Sequence, residues 1–207
     1  MKALVVATRN RGKLHEIGAM LSGLVELVIS AADLEGFPDT VEDGDTFEGN
    51  ALKKAREACI FSGLPALADD SGLAVDALGG RPGVFSARFA GEGAGDAANN
   101  ARLIRELSWV PCEKRRAAFV CVLAFVAPDG RELTFSGRVT GVIVDTPRGE
   151  GGFGYDPHFL VDGFGRTMSE LDLDEKNRIS HRGQAFRQFR EYLEQVTGEE
   201  RSAVIHA

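Results

Sequence analysis

The chain opens on a short apolar run, ALVVA at 3–7, whose length and Val content predict a buried strand over 2–7. A helix over 11–21 follows, capped by Asn10, and then a second strand over 25–29. Another helix is expected over 46–62, with Asp45 or Thr46 as N-cap and Gly63 just past its end. Two apolar pieces, 66–68 and 73–75, flank Asp69-Asp70-Ser71-Gly72, where a turn is expected. The glycine-rich stretch 79–95 reads as a long loop, and Asp96 caps a helix running to about residue 107. A long apolar strand over 117–127 turns at Pro128-Asp129-Gly130 into an alternating strand over 132–144, which makes an antiparallel hairpin. A loop with six glycines fills 149–165. The last helix, 180–196, carries Phe186, Phe189, Tyr192, Leu193 and Val196 as one apolar stripe, and 197–207 is expected to be a loose tail. Strands alternating with helices around one hairpin give an α/β fold with a mixed sheet and no repeat. Residues 1–196 are expected to form a single domain.

Composition narrows the class. No apolar stretch in the 207 residues approaches the ~20 needed to span a bilayer, and the N-terminus becomes polar too quickly for a signal peptide. Three cysteines, at 59, 112 and 121, form no C-x-x-C pair, and the four histidines have no zinc spacing. A reducing compartment, the cytoplasm, is the expectation. The net charge of −7 argues against a nucleic-acid binder. That excess lies in one place: 33–48 holds seven acids and no Lys or Arg, and the rest of the chain is formally neutral. Such a run reads either as a solvated loop or as part of a cation-binding site.

Four short segments carry candidate chemistry. Thr8-Arg9-Asn10-Arg11-Gly12-Lys13 sits where a strand hands over to a helix, and free N–H groups there with three bases suit an anion. A simple capped helix is the alternative, and the Walker A pattern is absent. Asp69-Asp70-Ser71-Gly72 reads as an Asx-turn or as an oxygen-ligand Mg²⁺ site, the latter only if the chain turns so that both acids share one side. Gly149-x-Gly151-x-x-Gly154 matches a dinucleotide fingerprint by letter, but no helix pattern follows and Pro157 interrupts. What remains is a tight loop with Phe153, Tyr155 and Asp156, in which an exposed aromatic beside a carboxylate suits a planar base. Lys176 to Gly183 is the densest basic cluster and places His181 and Arg182 at a helix start, where cations are unfavourable unless an anion or keto oxygen is bound. Neutralisation by the acids at 170–175 is the alternative.

In order, TRNRGK at 8–13, TFEGNALKKA at 46–55, ADDSGLAVDALGGRPGVFSARFAG at 68–91, GEGGFGYDPHF at 149–159 and EKNRISHRGQAF at 175–186 resemble the inosine triphosphate pyrophosphatase family. The resemblance implies an elongated mixed β-sheet flanked by helices, in two lobes with the active-site cleft between them, and a homodimer. It implies Mg²⁺-dependent hydrolysis of ITP, dITP and XTP to the monophosphate and pyrophosphate. By motif, Thr8, Arg9, Asn10, Arg11, Gly12 and Lys13 hold phosphates together with Lys54. Asp70 is the catalytic proton acceptor and a metal ligand, Asp69 lies beside it, and Ser71 touches substrate. Phe153, Gly154, Tyr155, Asp156, Lys176, His181 and Arg182 surround base and sugar. The family pattern T-F-x-E-N-A places a metal-site glutamate before the Asn. Here Gly49 stands there, with Glu48 one residue earlier as the candidate ligand and Glu42, Asp43 or Asp45 as alternatives. Arg182 only donates, so it suits the O6 of hypoxanthine or xanthine and opposes the amino group of adenine.

Overall fold

The computed structural model describes the backbone of residues 1–205 and the side chains of 1–196. Strands β1 (Ala3–Val6), β2 (Leu27–Ser30), β3 (Ala66–Val75), β4 (Arg116–Val126), β5 (Glu132–Ile143) and β6 (Phe159–Val161) form one sheet in the order β2-β1-β3-β4-β5-β6. β1 runs parallel to β2 and β3, and β5 antiparallel to β6, so the sheet is mixed. The helices are α1 (Arg11–Leu21), α2 (Phe47–Ser62), α3 (Asp96–Leu107), α4 (Leu173–Ile179) and α5 (His181–Ile205). The α/β fold is as the pattern predicts. Among the described residues no helix is long and apolar enough to cross a membrane.

The chain divides into two compact units. The first comprises Met1–Asp69, Val122–Ser136 and the segment from Gly183 onward; the second comprises Asp70–Cys121 and Gly137–Arg182. In the first, Leu4, Val5 and Val6 of β1 are all buried, as the sides of a covered parallel strand must be. A cluster of small residues, with Ala51, Ala55 and Ala58 of α2 against Val5, Ala66 and Ala68, brings that helix onto the sheet. α2 is bounded at one end by Thr46, whose hydroxyl accepts the Gly49 N–H at 3.1 Å, and at the other by Gly63 in the left-handed conformation. The second unit has a core of larger residues, among them Leu73, Leu103, Leu107, Phe119, Ile143, Phe159 and Met168.

Three expectations change. β3 runs without interruption through Asp69-Asp70-Ser71-Gly72, so no turn is made there. Gly72 serves close packing instead: a Cβ would stand 2.5 Å from the Gly83 carbonyl oxygen and collide with Ser86, whose hydroxyl accepts the Leu73 N–H at 2.9 Å. Second, the glycine-rich loop at 149–165 contains β6, and the acidic stretch after it opens α4. Third, α5 continues in backbone to Ile205, beyond its apolar stripe. Residues 206–207, and the side chains of 197–205, where the tail was expected, lie outside the described residues.

Candidate functional site

In the first unit, β1 ends at Val6 and α1 starts at Arg11. Asn10 caps the helix, its Oδ1 accepting the Lys13 N–H at 3.0 Å, while the Thr8 hydroxyl accepts the Asn10 N–H at 3.2 Å. Arg11 and Gly12 occupy the first two helical positions, where N–H groups have no acceptor within the helix and the dipole favours an anion. The Lys13 ammonium forms an ion pair with the fully buried Asp69 carboxylate. A lysine has three donors, so the contact aims Lys13 without exhausting it.

Arg9 does not stand open. Its guanidinium donates to the Phe37 carbonyl at 2.6 Å and pairs with Asp39 at 2.9 Å. Those are residues of the acidic segment, which is fastened along α2. Thr40 donates to Glu57, Lys54 Nζ to Glu42 at 2.7 Å, and Lys53 to Asp43 at 2.7 Å, while Asn50 grips both the N–H and the carbonyl of Gly44. The Lys53 hydrogen bond holds the Asp43 carboxyl below its ordinary pKa. The loop is a strap, and its helix partners at 50, 53, 54 and 57 have the i, i+3, i+4, i+7 spacing of one face, a signal already present in the sequence.

Lys54 also donates to the Asp69 carbonyl at 2.7 Å, so a single buried nitrogen joins Glu42 to the β3 main chain. Glu48 goes elsewhere: it is exposed in the first turn of α2 and accepts from Thr134 at 3.1 Å. With no side chain at Gly49, Glu42 is the acid brought beside the Asp69 peptide. Glu48, the candidate ligand, and Glu42, its alternative, therefore stand in different surroundings, Glu48 exposed beside Thr134 and Glu42 on Lys54.

In an extended strand neighbouring side chains leave on opposite sides, so Asp69 and Asp70 do not form the shared pair expected of a turn. Asp69 is held by Lys13. Asp70, 5% exposed, is the buried acid in the second unit's part of β3.

Ser71, next along β3, accepts a hydrogen bond from Arg182 Nη2 at 2.8 Å. Arg182 is 1% exposed and lies in the first turn of α5, as predicted, with its guanidinium carbon 5.7 Å from the centre of the Phe153 ring. Lys176 Nζ is 4.8 Å from the same ring and 2.6 Å from Asp156 Oδ2. The Phe153 N–H donates to that oxygen at 3.0 Å, and Gly152, left-handed at φ +75°, passes so close that a Cβ would strike the carboxylate. His181 stacks on Phe119, 5.0 Å between ring centres and 13° from parallel.

Three of the acids at 170–175 have partners of their own. Glu175 forms a two-point pair with Arg166, Glu170 accepts from the Thr167 N–H, and Asp172 caps α4. Tyr155 is also not the exposed aromatic of the expectation. It is buried in the core, its hydroxyl donates to the Ser86 carbonyl at 2.8 Å, and burial pushes its pKa up. Phe153, half-buried, is the ring the loop leaves partly exposed. Sequence reasoning missed Asp96 and Asn100, which both bond Gly154 from α3.

Among the described residues no three His, Cys, Asp or Glu side chains gather as a metal cage. Mg²⁺ needs none: it is commonly held by one or two carboxylates, waters and substrate phosphates. The hard carboxylate oxygens of Asp70 suit that role.

The sequence model of the Ham1 family matches residues 4–192. A dITP/XTP pyrophosphatase of Geobacter sulfurreducens is 58% identical over 193 residues, covering 93% of this chain and 97% of that protein. One from Geobacillus kaustophilus is 48% identical over 198 residues, covering 96% and 97%. Among solved structures, a HAM1 protein from Coxiella burnetii superposes with a TM-score of 0.84 at 43% identity, covering 94% of this chain and all of that one. The Staphylococcus aureus Ham1 protein gives 0.83 at 40% identity, covering 94% and 99%. With nearly its whole length matched in both sequence and fold, the chain belongs to the Ham1 family.

Proposed function

We propose that the protein hydrolyses the non-standard purine triphosphates dITP, ITP and XTP to the monophosphate and pyrophosphate, cleansing the nucleotide pool. The observation that carries this is the pairing of donor-only cations with one half-buried ring: Lys176 and the buried Arg182 both lie within 6 Å of Phe153. A purine stacked on that ring meets donors, which accept a keto O6 and oppose the amino group of adenine. The dITP/XTP pyrophosphatase name of the relatives supports the same substrates.

The phosphates are assigned to the first unit. The N–H groups of Arg11 and Gly12, with Lys13 and Lys54, neutralise their oxygens. Asp70 accepts the proton of the water that attacks the α-phosphorus, and the bond to the bridging oxygen breaks to release pyrophosphate. Asp70 would hold Mg²⁺, which when bound offsets charge on the phosphate oxygens. Asp69 acts by orienting Lys13. The reading extends to one functional domain over 1–196 and to a homodimer in the cytoplasm, both carried by family resemblance.

A substrate panel with product identification tests the reaction. Pyrophosphate in step with nucleoside monophosphate is expected from ITP and XTP with Mg²⁺, and little from ATP. Orthophosphate as the first product would overturn the assignment.

A further inference from the structure

We propose that Asp96 and Asn100 are positioning residues for base recognition, clamping the main chain of Gly154 from α3 so that the Phe153 ring is fixed where a purine is to stack. The inference rests on the nucleotide reading above. Asp96 stands in the first turn of α3, behind a Gly95 N-cap that has no side chain to offer. Its Oδ2 accepts the Gly154 N–H at 2.7 Å. One turn later the Asn100 Nδ2 donates to the Gly154 carbonyl at 2.8 Å. An acceptor and a donor four residues apart on one helical face thus match the two polar groups of a single residue. A carbonyl takes only a donor, which fixes the orientation of the Asn100 amide.

The clamp is mounted on a rigid support. Asn99 accepts from the Ala90 N–H at 2.7 Å and donates to the Ala87 carbonyl at 3.1 Å. Arg102 lies over the Phe89 ring at 4.4 Å and bonds both the Phe89 carbonyl and Glu106. Leu103 and Leu107 anchor the helix in the core. From the other side Asp156 takes the Phe153 N–H, so the ring is carried on a loop pinned at residues 153 and 154. Asp96 is exposed and adds nothing to the core. Removing its carboxylate frees the loop without opening a cavity.

The test combines steady-state kinetics on ITP and ATP with calorimetry of ITP binding, which needs no turnover, and thermal melting. Asp96→Ala and Asn100→Asp are each expected to raise KM and the ITP Kd about tenfold, the equivalent of 1.4 kcal/mol. The turnover number should change by no more than about twofold, because the loss is in binding rather than chemistry. Asp96→Asn keeps an acceptor and should stay within about threefold of the parent in KM. Unchanged KM and Kd in Asp96→Ala and Asn100→Asp would overturn the proposal, as would equal damage from Asp96→Asn and Asp96→Ala. A parent protein that binds ITP as expected but releases no pyrophosphate would fail the reaction assignment while leaving the clamp to be judged on Kd.

Discussion

The strap of the first unit and the Phe153 site of the second hold their cations in opposite ways. In the first, Arg9 and Lys53 pair with Asp39 and Asp43 across a half-open surface, the acids 80% and 66% exposed. In the second, Lys176 and Asp156 are each 5% exposed at the side chain, and Arg182 is sealed at 1%. The Arg9 and Lys53 pairs of the strap are separate from Lys13 and Lys54, which are held by the buried Asp69 and by Glu42. Solvated pairs of the strap kind tolerate changes of geometry, whereas donors that are to discriminate a base edge must keep their positions, because a misplaced donor no longer discriminates. The cores differ as well: alanines let α2 lie close to its sheet, whereas the second unit packs larger Leu and Phe side chains.

The sharpest break of that comparison is chemical. Asp70→Asn is expected to lower pyrophosphate release by about 10³-fold or more with the fold retained. Near-parental turnover would remove Asp70 as proton acceptor. Next, Lys176→Ala takes the buried Asp156 carboxylate's ammonium partner away, at about 3–5 kcal/mol. A fall in melting temperature on the order of 10 °C is expected. Lys53→Ala, its counterpart in the strap, should leave the melting curve unmoved within error, and equal shifts in the two variants would erase the contrast. Arg182→Ala is expected to raise KM for ITP about tenfold and to narrow the ITP/ATP preference; an unchanged ratio would sink the keto-reading role. The smallest effect is acid-linked. Arg116 and Thr140 hold the Asp162 carboxyl below its ordinary pKa. Its contribution is therefore present above the unfolded value near 4 and is lost as pH falls through the lower folded value. Both partners are more than a third exposed, so Asp162→Asn should cost less than about 1 kcal/mol at pH 7, and that cost should shrink as pH falls through the carboxyl's lowered folded value.

Much of this was legible in the sequence. Strand-to-helix punctuation at 8–13 located the Asn10-capped start of α1, and His181 and Arg182 stand in the first turn of α5 where the pattern put them. The failures share a physical origin. Asp69-Asp70-Ser71-Gly72 reads as a turn because local rules treat acids and glycine as breakers, whereas here tertiary partners decide. Lys13, 56 positions away in the chain, holds Asp69, and the close approach of residues 83 and 86 requires Gly72. Tyr155 was misread for a like reason: neighbours in a glycine loop look equally exposed, and only the packing tells that one ring of two is inward. The clamp at 96 and 100 was missed because an acid opening a helix is fully explained by the helix.

The strap along α2 has a consequence for how the protein responds to its medium. Its exposed ion pairs lie in water, where at about 0.15 M salt a charge is felt over only ~8 Å and at 1 M over ~3 Å. The Lys176–Asp156 pair is shielded from that solvent. Ionic strength therefore acts on the protein as a selective solvent knob: brine loosens the strap along α2 well before it reaches the buried Lys176–Asp156 pair.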